Sequence, residues 1–355
     1  MIGISIYLSE ERTIQNVQWI EKAASLGLRS IFTSLHIPED DPNTYLYLLK
    51  DLGSLAKKFN MELFADVSPK SLGYLGLDFQ SLDELVQWGL TGIRVDYGFT
   101  SEEIVELSKK MKVGINASTV SETEIDILIN KGLIVKNVEA WHNFYPRPET
   151  GLDTNFLMNR NRFLKSKGFT TVAFIPGDKE MRGPVYAGLP TLEKHRTASP
   201  VTAAAELFHS YDTDKVLIGD LSVTNDTLNR LSIIGNGMIP LRMKPINDRI
   251  EKQLFNQIHT NRMDPARDVI RSVESRSYAQ KGTVLIAPSN QLERKRGTIT
   301  IDNQLYGRYA GELQITIHDL PKDDRVNVIG HVIEEDLPLL SFIKAGGKFQ
   351  FMVRD

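Results

Sequence analysis

Carboxylates and arginines recur where short apolar runs of this sequence end. Arg94 and Asp96 stand two residues apart, and Asp66, Asp178 and Asp220 each follow an apolar run. Paired carboxyl groups can act as acid and base, and an arginine can bind phosphate or carboxylate through two parallel hydrogen bonds. The sequence therefore offers acid–base chemistry on an anionic small molecule, provided that folding brings these groups together.

Each of these acids also has a structural interpretation. Residues two apart on a strand face the same side, so Arg94 and Asp96 could form a salt bridge instead of touching a substrate. For Asp66, Asp178 and Asp220 the alternative is an N-cap on the following helix, where aspartate is favoured.

The segment after the sixth apolar run, residues 141–153, is polar and stiff. Two prolines restrict the backbone on either side of Arg147. Donors, acceptors and a proton-transfer group come from His142, Asn143, Tyr145 and Glu149. This composition predicts a preorganised site, and the alternative is a rigid surface loop whose aromatic side chains pack on the protein.

A second long segment, residues 177–199, is rich in basic side chains. Loops longer than about 12–15 residues are usually functional or disordered. Together with Arg147, the basic groups predicted to bind an anion are Arg182, Lys194, His195 and Arg196. A solvated charged loop is the alternative.

The elements that must position these groups form a regular series. Apolar runs alternate with amphipathic stretches of about 10–15 residues, as in repeated βα units around a parallel sheet. Strands are predicted to begin near Ile2, Ser30, Met61, Gly92, Lys112, Val138, Thr170 and Lys215. Eight units spaced about 30 residues apart predict a (β/α)8 TIM barrel over residues 1–235, with an open doubly wound sheet as the rival.

Reacting groups in such barrels lie at the C-terminal ends of the strands. This rule adds Tyr7, His36 and Asn116 to the candidate substrate-binding residues, together with Arg94. Glu139 comes early in its strand, where a structural ion pair is the expected role.

The sequence pattern changes near residue 236, where the repeated βα units end. We interpret residues 233–240 as a linker and predict a smaller β-barrel-like domain over residues 236–355. Its strand-like runs begin at Thr283, Gly297, Glu312, Arg325 and Lys348.

Composition excludes several classes of protein. The net charge of −3 provides no basic field for nucleic acid or for an acidic membrane surface. Without cysteine there can be no disulfide, Cys-ligated metal or Cys nucleophile. We expect no cofactor, because no dinucleotide or P-loop glycine motif is present, and no metal, because His-Glu-x-x-His spacing is missing. A short apolar N-terminus without a basic region, and no long apolar segment, predict a cytoplasmic protein.

Four segments resemble the MupG-type 6-phospho-N-acetylmuramidases, a family once described as "outer surface proteins". They are Gly3-Ile-Ser-Ile-Tyr, Asn143-Phe-Tyr-Pro-Arg-Pro-Glu-Thr-Gly151, Gly188-Leu-Pro-Thr-Leu-Glu-Lys-His-Arg196 and Gly219-Asp220. The resemblance covers essentially the whole chain and implies a cyclophilin-like fold for the C-terminal domain.

The resemblance implies a cytoplasmic glycosidase of cell-wall recycling. Its substrate would be N-acetylmuramic acid 6-phosphate linked β-1,4 to N-acetylglucosamine. From position in the barrel, we expect Glu149 to be the general acid and Asp96 or Asp178 the nucleophile, base or stabiliser, with Asp66 and Asp220 as further rim carboxyl groups. Phosphate and carboxylate would bind Arg147, Arg182 and Arg196, and the sugar would contact Asn116, His142, Asn143 and Tyr145.

Two other functions stay open at this point. One is a sugar-phosphate isomerase, epimerase or lyase, and the other is a non-catalytic sugar-phosphate binding protein. The C-terminal domain could cap the barrel, contact substrate or form a homodimer.

Overall fold

The computed structural model describes residues 1–35, 42–79, 81–95, 97–246, 252–275 and 286–354. Within these ranges the chain divides into two compact units, Met1–Gly235 and Asn236–Asp355. No helix in the described ranges has both the length and the apolar character needed to cross a membrane.

The first unit is a closed barrel of eight parallel strands. Each strand pairs with the next along the chain, and the first also pairs with the eighth, which closes the ring. The strands are β1 Ile2–Ser5, β2 Ser30–Ser34, β3 Glu62–Val67, β4 Gly92–Val95, β5 Lys112–Asn116, β6 Val138–Trp141, β7 Thr170–Ile175 and β8 Lys215–Ile218. The predicted TIM barrel is confirmed, and the open sheet is wrong.

Helices connect the strands and lie outside the ring. They are α1 Thr13–Ser25, α2 Pro42–Lys58, α3 Pro69–Tyr74, α4 Asp83–Trp88, α5 Ser101–Lys110, α6 Glu122–Asn130, α7 Thr154–Ser166, α8 Pro200–Ser210 and α9 Asn225–Gly235. Capping boxes start α5 at Thr100 and α6 at Ser121, where each hydroxyl accepts from the backbone N–H three residues on.

Large aromatic side chains fill the middle of the barrel. The packed cluster consists of Phe32, Phe64, Trp141, Val172, Phe174 and Leu217. Glycines at inward-facing positions make room for it: a Cβ on Gly92 would lie 2.5 Å from the Phe64 ring, and one on Gly114 would lie 3.0 Å from Trp141. The interior is therefore a packed core. We call the C-terminal ends of the strands, with the loops that follow them, the mouth.

Charged side chains close the opposite, N-terminal end of the barrel. Lys215 Nζ lies 2.9 Å from Glu139 Oε1 and 2.7 Å from Glu62 Oε2, and Lys112 contacts the same two carboxylates. The ion-pair role expected for Glu139 is confirmed.

The second unit contains a barrel-like sheet in the order β10-β15-β9-β14-β12-β13-β11. Its elements are β9 Met238–Pro245, α10 Lys252–Phe255, β10 Ile258–Thr260, β11 Val269–Arg271, β12 Thr298–Asp302, β13 Leu313–Thr316, β14 Val326–Val332 and β15 Lys348–Val353.

The linker interpretation of residues 233–240 is wrong. Residues up to Gly235 continue α9, and β9 begins at Met238 and pairs with both β15 and β14. Glycines and a proline had suggested a loop, but Ile239, Leu241 and Met243 are all buried, so packing decides for a strand. The strand expected from Thr283 begins in residues outside the described ranges.

Candidate functional site in the barrel mouth

Strand alternation selects which polar residues enter the mouth. Asp66 shares the inward parity of Phe64 on β3, and Arg94 and Asn116 share that of the inward-facing Gly92 and Gly114 on β4 and β5. Asp66 and Arg94 are also register partners on β3 and β4. Three residues that are distant in the sequence therefore point toward one space.

Arg94 links two sides of this space. Its Nη1 donates to Asp66 Oδ2 at 3.0 Å, and its Nη2 donates to Asn143 Oδ1, just beyond β6. Only 4% of Arg94 and 7% of Asp66 are exposed, so this is a buried ion pair. The carboxylate partner of Arg94 within the described residues is thus Asp66 on the neighbouring strand. Asp96, the other partner considered from the sequence, lies outside the described residues, as does His36.

A second arginine lies on the other side of the mouth. The Arg182 guanidinium lies 4.0 Å from the centroid of the Tyr7 ring, and Tyr7 donates its hydroxyl to Gly219 O at 2.6 Å. Burial raises the pKa of Tyr7 to about 12, so the phenol stays neutral. No carboxylate in the described part of the chain forms a salt bridge with Arg182. Its positive charge is held in place by an aromatic face and is available to a ligand.

Asp220 holds the long loop after β7. Its carboxylate accepts hydrogen bonds from the backbone N–H groups of Gly177, Arg182 and Leu189, at 2.8, 3.0 and 3.0 Å. The side chain is fully buried. These contacts are those of a residue that positions the loop, and thereby Arg182, rather than those of an N-cap.

Asp178 is engaged differently. It is exposed, and its oxygens accept from Thr224 N at 2.7 Å and from the hydroxyls of Thr224 and Thr227 at the start of α9. The N-cap alternative is wrong for Asp178, because Thr224 caps α9 through its hydroxyl, which accepts from Thr227 N, and Asp178 holds that cap in place from the loop after β7.

The loop after β6 is fastened to the loop after β7. Tyr145 N donates to Pro190 O, and Leu152 N donates to Thr191 O. Glu193 accepts from Glu149 N at 2.8 Å and from Gly151 N at 2.7 Å. The two polar segments singled out from the sequence thus form one braced unit at the rim.

Arg196 completes this brace. It donates to both carboxylate oxygens of Glu193 at 2.7 Å, and its remaining contacts are the carbonyl oxygens of Tyr145, Arg147, Ala187 and Gly188. These hydrogen bonds lower the pKa of Glu193 to about 2. Every nitrogen of the guanidinium is already used, so the contacts of Arg196 are those of a structural residue.

The loop also holds Glu149 in an uncommon backbone conformation. Its φ is +72°, in the left-handed region that residues other than glycine rarely adopt. Its side chain is exposed, as is that of Arg147. The hydrogen bonds from Glu149 N and Gly151 N to Glu193 keep the strained turn in place.

Two predicted histidines face away from the mouth. His142 lies between β6 and α7, with Nδ1 at 3.0 Å from Ser118 Oγ and Nε2 at 2.8 Å from Asn161 Oδ1. His195 lies 2.8 Å from Glu206 Oε2 on α8. Burial lowers the pKa of both, that of His142 to about 4, so they are neutral at physiological pH.

Tyr145 lies at the edge of the mouth and is half-buried. Burial raises its pKa, and the hydroxyl of Ser118 and the charge of Arg94 act in the opposite direction. A neutral phenol beside a guanidinium can donate to a sugar oxygen.

Sequence reasoning missed Asn161, Glu193 and Glu206. Glu193 and Arg196 stand three residues apart, which is a detectable pairing signal on one helical turn. The others carry no such signal, because their partners come from distant segments. No group of three or more His, Asp or Glu side chains in the described ranges is arranged to hold a metal ion.

Comparison with known proteins gives a consistent result. The family model described as 6-phospho-N-acetylmuramidase, N-terminal, matches residues 2–233, and its C-terminal counterpart matches residues 239–352. A conserved protein of unknown function from Enterococcus faecalis has 41% sequence identity and a TM-score of 0.84, over 100% of this chain and 96% of that chain. An uncharacterized B. cereus protein has 27% identity and a TM-score of 0.79, over 99% of both chains. No curated protein matches the chain.

Proposed function

The chain belongs to the 6-phospho-N-acetylmuramidase family, and we propose that it hydrolyses the β-1,4 bond between N-acetylmuramic acid 6-phosphate and N-acetylglucosamine. A glycosidase-type hydrolase follows from the family. The specific disaccharide, a cytoplasmic location and a place in peptidoglycan recycling are our proposal.

The observation that carries the proposal is the state of Arg182. It is held over the Tyr7 ring at 4.0 Å, and its loop is fixed by three hydrogen bonds to Asp220. A guanidinium held in this way, with no salt bridge to a carboxylate in the described ranges, is preorganised for an anion. The 6-phosphate and the lactyl carboxylate are the two anions on the proposed substrate.

Other groups around the mouth complete the substrate contacts. Asn116, Asn143 and Tyr145 provide neutral donors and acceptors for sugar hydroxyl and amide groups. Exposed Arg147 on the rim is a second proposed anion contact. Positioning roles fit His142 and Arg196 better than substrate contact, because their polar atoms already bind protein. The same role fits His195, which is buried and bonded through Nε2 to Glu206.

Glycoside hydrolysis generally uses two carboxyl groups across the scissile bond. Glu149 stays our proposed general acid, since its side chain is exposed in the braced rim loop. Asp66, in its salt bridge with Arg94, and Asp96 are the proposed partners. Asp178 and Asp220 are instead assigned to hold loops.

The test is hydrolysis of muramyl disaccharides with and without the 6-phosphate. We expect cleavage of the phosphorylated form only. Glu149→Gln should lower kcat roughly 100- to 10,000-fold, the usual contribution of a general acid. Glu84→Gln, at an exposed position on α4, is the matched control. Full turnover by Glu149→Gln removes that residue from the mechanism, and equal cleavage of both disaccharides contradicts the proposed substrate.

A further inference from the structure

A chain of hydrogen bonds leads from α7, outside the barrel, to the loop after β5, and its direction is fixed at the outer end. Asn161 on α7 is buried, and its Nδ2 donates to Tyr211 O at 2.7 Å and to Thr213 Oγ1 at 3.1 Å. A backbone carbonyl oxygen can only accept, so the amide nitrogen of Asn161 must face Tyr211. The amide oxygen is therefore the atom that faces His142.

This orientation decides which nitrogen of the His142 ring carries the proton. Asn161 Oδ1 lies 2.8 Å from His142 Nε2 and can only accept, so the proton is on Nε2. Burial lowers the pKa of the ring to about 4, and the positive charges of Arg160 on α7 and Arg94 on β4 also lower it, so the ring is neutral. A neutral imidazole that is protonated on Nε2 has no proton on Nδ1, which is then an acceptor.

Ser118 is at the inner end of this chain of hydrogen bonds. Its Oγ lies 3.0 Å from His142 Nδ1, and because that nitrogen has no proton, the hydroxyl of Ser118 must donate to it. The single hydrogen of the hydroxyl is thereby used, and the oxygen can only accept further hydrogen bonds. Ser118 is partly exposed, and its hydroxyl lies beside Tyr145 at the edge of the mouth.

The amide groups near Ser118 are directed the other way. Asn116 Oδ1 accepts from Ser118 N at 3.0 Å, and Asn143 Oδ1 accepts from the guanidinium of Arg94. Each amide oxygen thus has a partner, whereas neither NH2 group donates to another residue in the described ranges. Donors therefore predominate on this side of the mouth, and Ser118 is a neutral group there whose free capacity is only to accept.

We propose that Asn161 and His142 are positioning residues that hold Ser118 as a hydrogen-bond acceptor at the mouth. Ser118 accepts from a hydroxyl group of the ligand, and the neighbouring phenol of Tyr145 donates to the same group. A hydroxyl both donates and accepts, so this pair selects it over an ether or carbonyl oxygen, which only accepts. The ligand contact rests on the proposed function, whose sugar substrate has hydroxyl groups, whereas the direction of the hydrogen bonds does not.

Nitrogen NMR of the isotope-labelled protein tests the direction of the hydrogen bonds without a substrate. The ring of His142 is identified as the imidazole signal that is missing from His142→Gln. At neutral pH we expect a protonated Nε2 and an unprotonated Nδ1. Asn161→Asp places a carboxylate beside the ring and should raise the pKa of His142 by roughly 1–3. A proton on Nδ1 in the unaltered protein at neutral pH overturns the proposal.

Hydrolysis of the phosphorylated disaccharide tests the ligand contact. Ser118→Ala should lower kcat/KM about three- to tenfold, the size of one neutral hydrogen bond, and Ser118→Thr, which keeps the hydroxyl, should restore it. The matched control is Thr119→Val, which removes an exposed hydroxyl from the next residue and should leave kcat/KM unchanged. Equal values for Ser118→Ala and Thr119→Val overturn the acceptor role and leave the proposed function intact.

The pH dependence of kcat/KM distinguishes positioning from a purely structural role. A protonated His142 donates from Nδ1, so the hydroxyl of Ser118 reverses and its oxygen no longer accepts from the ligand. The acid limb of the profile should therefore move to higher pH in Asn161→Asp, by the shift that NMR measures. In the double variant Ser118→Ala/Asn161→Asp, this displacement should be absent.

An acid limb that stays in place while the pKa of His142 rises overturns the positioning role. If the unaltered protein cleaves no muramyl disaccharide, the proposed function falls and the ligand contact falls with it. The NMR measurement then still decides whether Asn161 and His142 fix the hydroxyl of Ser118.

Discussion

The two ends of the barrel interior both contain charged residues, but their charges are balanced differently. At the N-terminal end, two lysines and two glutamates neutralise one another in a closed network. At the mouth, Arg94 has a carboxylate partner, whereas Arg182 lies on an aromatic ring. Saturated charges specify and stabilise a fold, and charges without an ionic partner are suited to a ligand. The same residue types therefore have structural value at one end and functional value at the other.

The largest expected effect is on stability, at the N-terminal end. Lys215→Met removes one of the two cations from Glu139, whose side chain is only 4% exposed. We expect a loss of about 3 kcal/mol in the free energy of unfolding, the lower part of the range for breaking a buried ion pair, because Lys112 still contacts Glu139. Urea-induced unfolding of Lys215→Met and of the unaltered protein measures this difference in free energy.

The control for this prediction is Lys165→Met. Lys165 also contacts two carboxylates, Asp212 and Asp214, but is 28% exposed, so its loss should cost below about 1 kcal/mol. Equal losses in the two variants would contradict the view that burial makes the network important. The relative activity per folded molecule should change little in either variant.

The next effect concerns pH and tests whether the buried, neutral ring of His142 makes the fold sensitive to acid. Its pKa is about 4 when folded and 6.5 in the unfolded reference, so the unfolded chain takes up the proton first. Stability is therefore full above about pH 6.5 and is lost as pH falls toward 4, by up to roughly 2–3 kcal/mol.

His142→Gln isolates this contribution. The variant lacks the titrating ring, so its free energy of unfolding should fall less steeply between pH 6.5 and 4 than that of the unaltered protein. Parallel pH profiles would show that His142 is not a source of acid sensitivity.

The smallest expected effect, expressed as a free energy, is the loss of activity when Arg182 at the mouth is replaced. Arg182→Gln removes an arginine that forms no salt bridge in the described ranges, so unfolding should change by less than about 0.5 kcal/mol. kcat/KM on the phosphorylated disaccharide should fall roughly 30-fold, or about 2 kcal/mol, as for one charge-assisted hydrogen bond. A loss of stability with unchanged kcat/KM would place Arg182 with the structural charges instead.

Much of the architecture followed from local pattern. Short apolar runs at regular spacing predicted all eight barrel strands, and the rule that reacting groups lie at the C-terminal ends of the strands placed Asp66, Arg94 and Asn116 at one end. The sequence also marked the two rim loops through their length and composition. The second unit followed less directly from the sequence, because residues 233–240 predicted a linker, whereas β9 pairs with both β15 and β14.

What only the tertiary structure decided is which polar groups are already occupied. Asp66 and Arg94 are 28 residues apart, and Asp220 binds backbone groups up to 43 residues away. Hydrogen-bond saturation depends on partners from distant segments, which residue type and spacing do not specify. The sequence therefore determined the barrel and the set of polar residues at its C-terminal end. The tertiary structure determined that Arg196 and Asp220 hold loops in place, while Arg182 stays available to an anion.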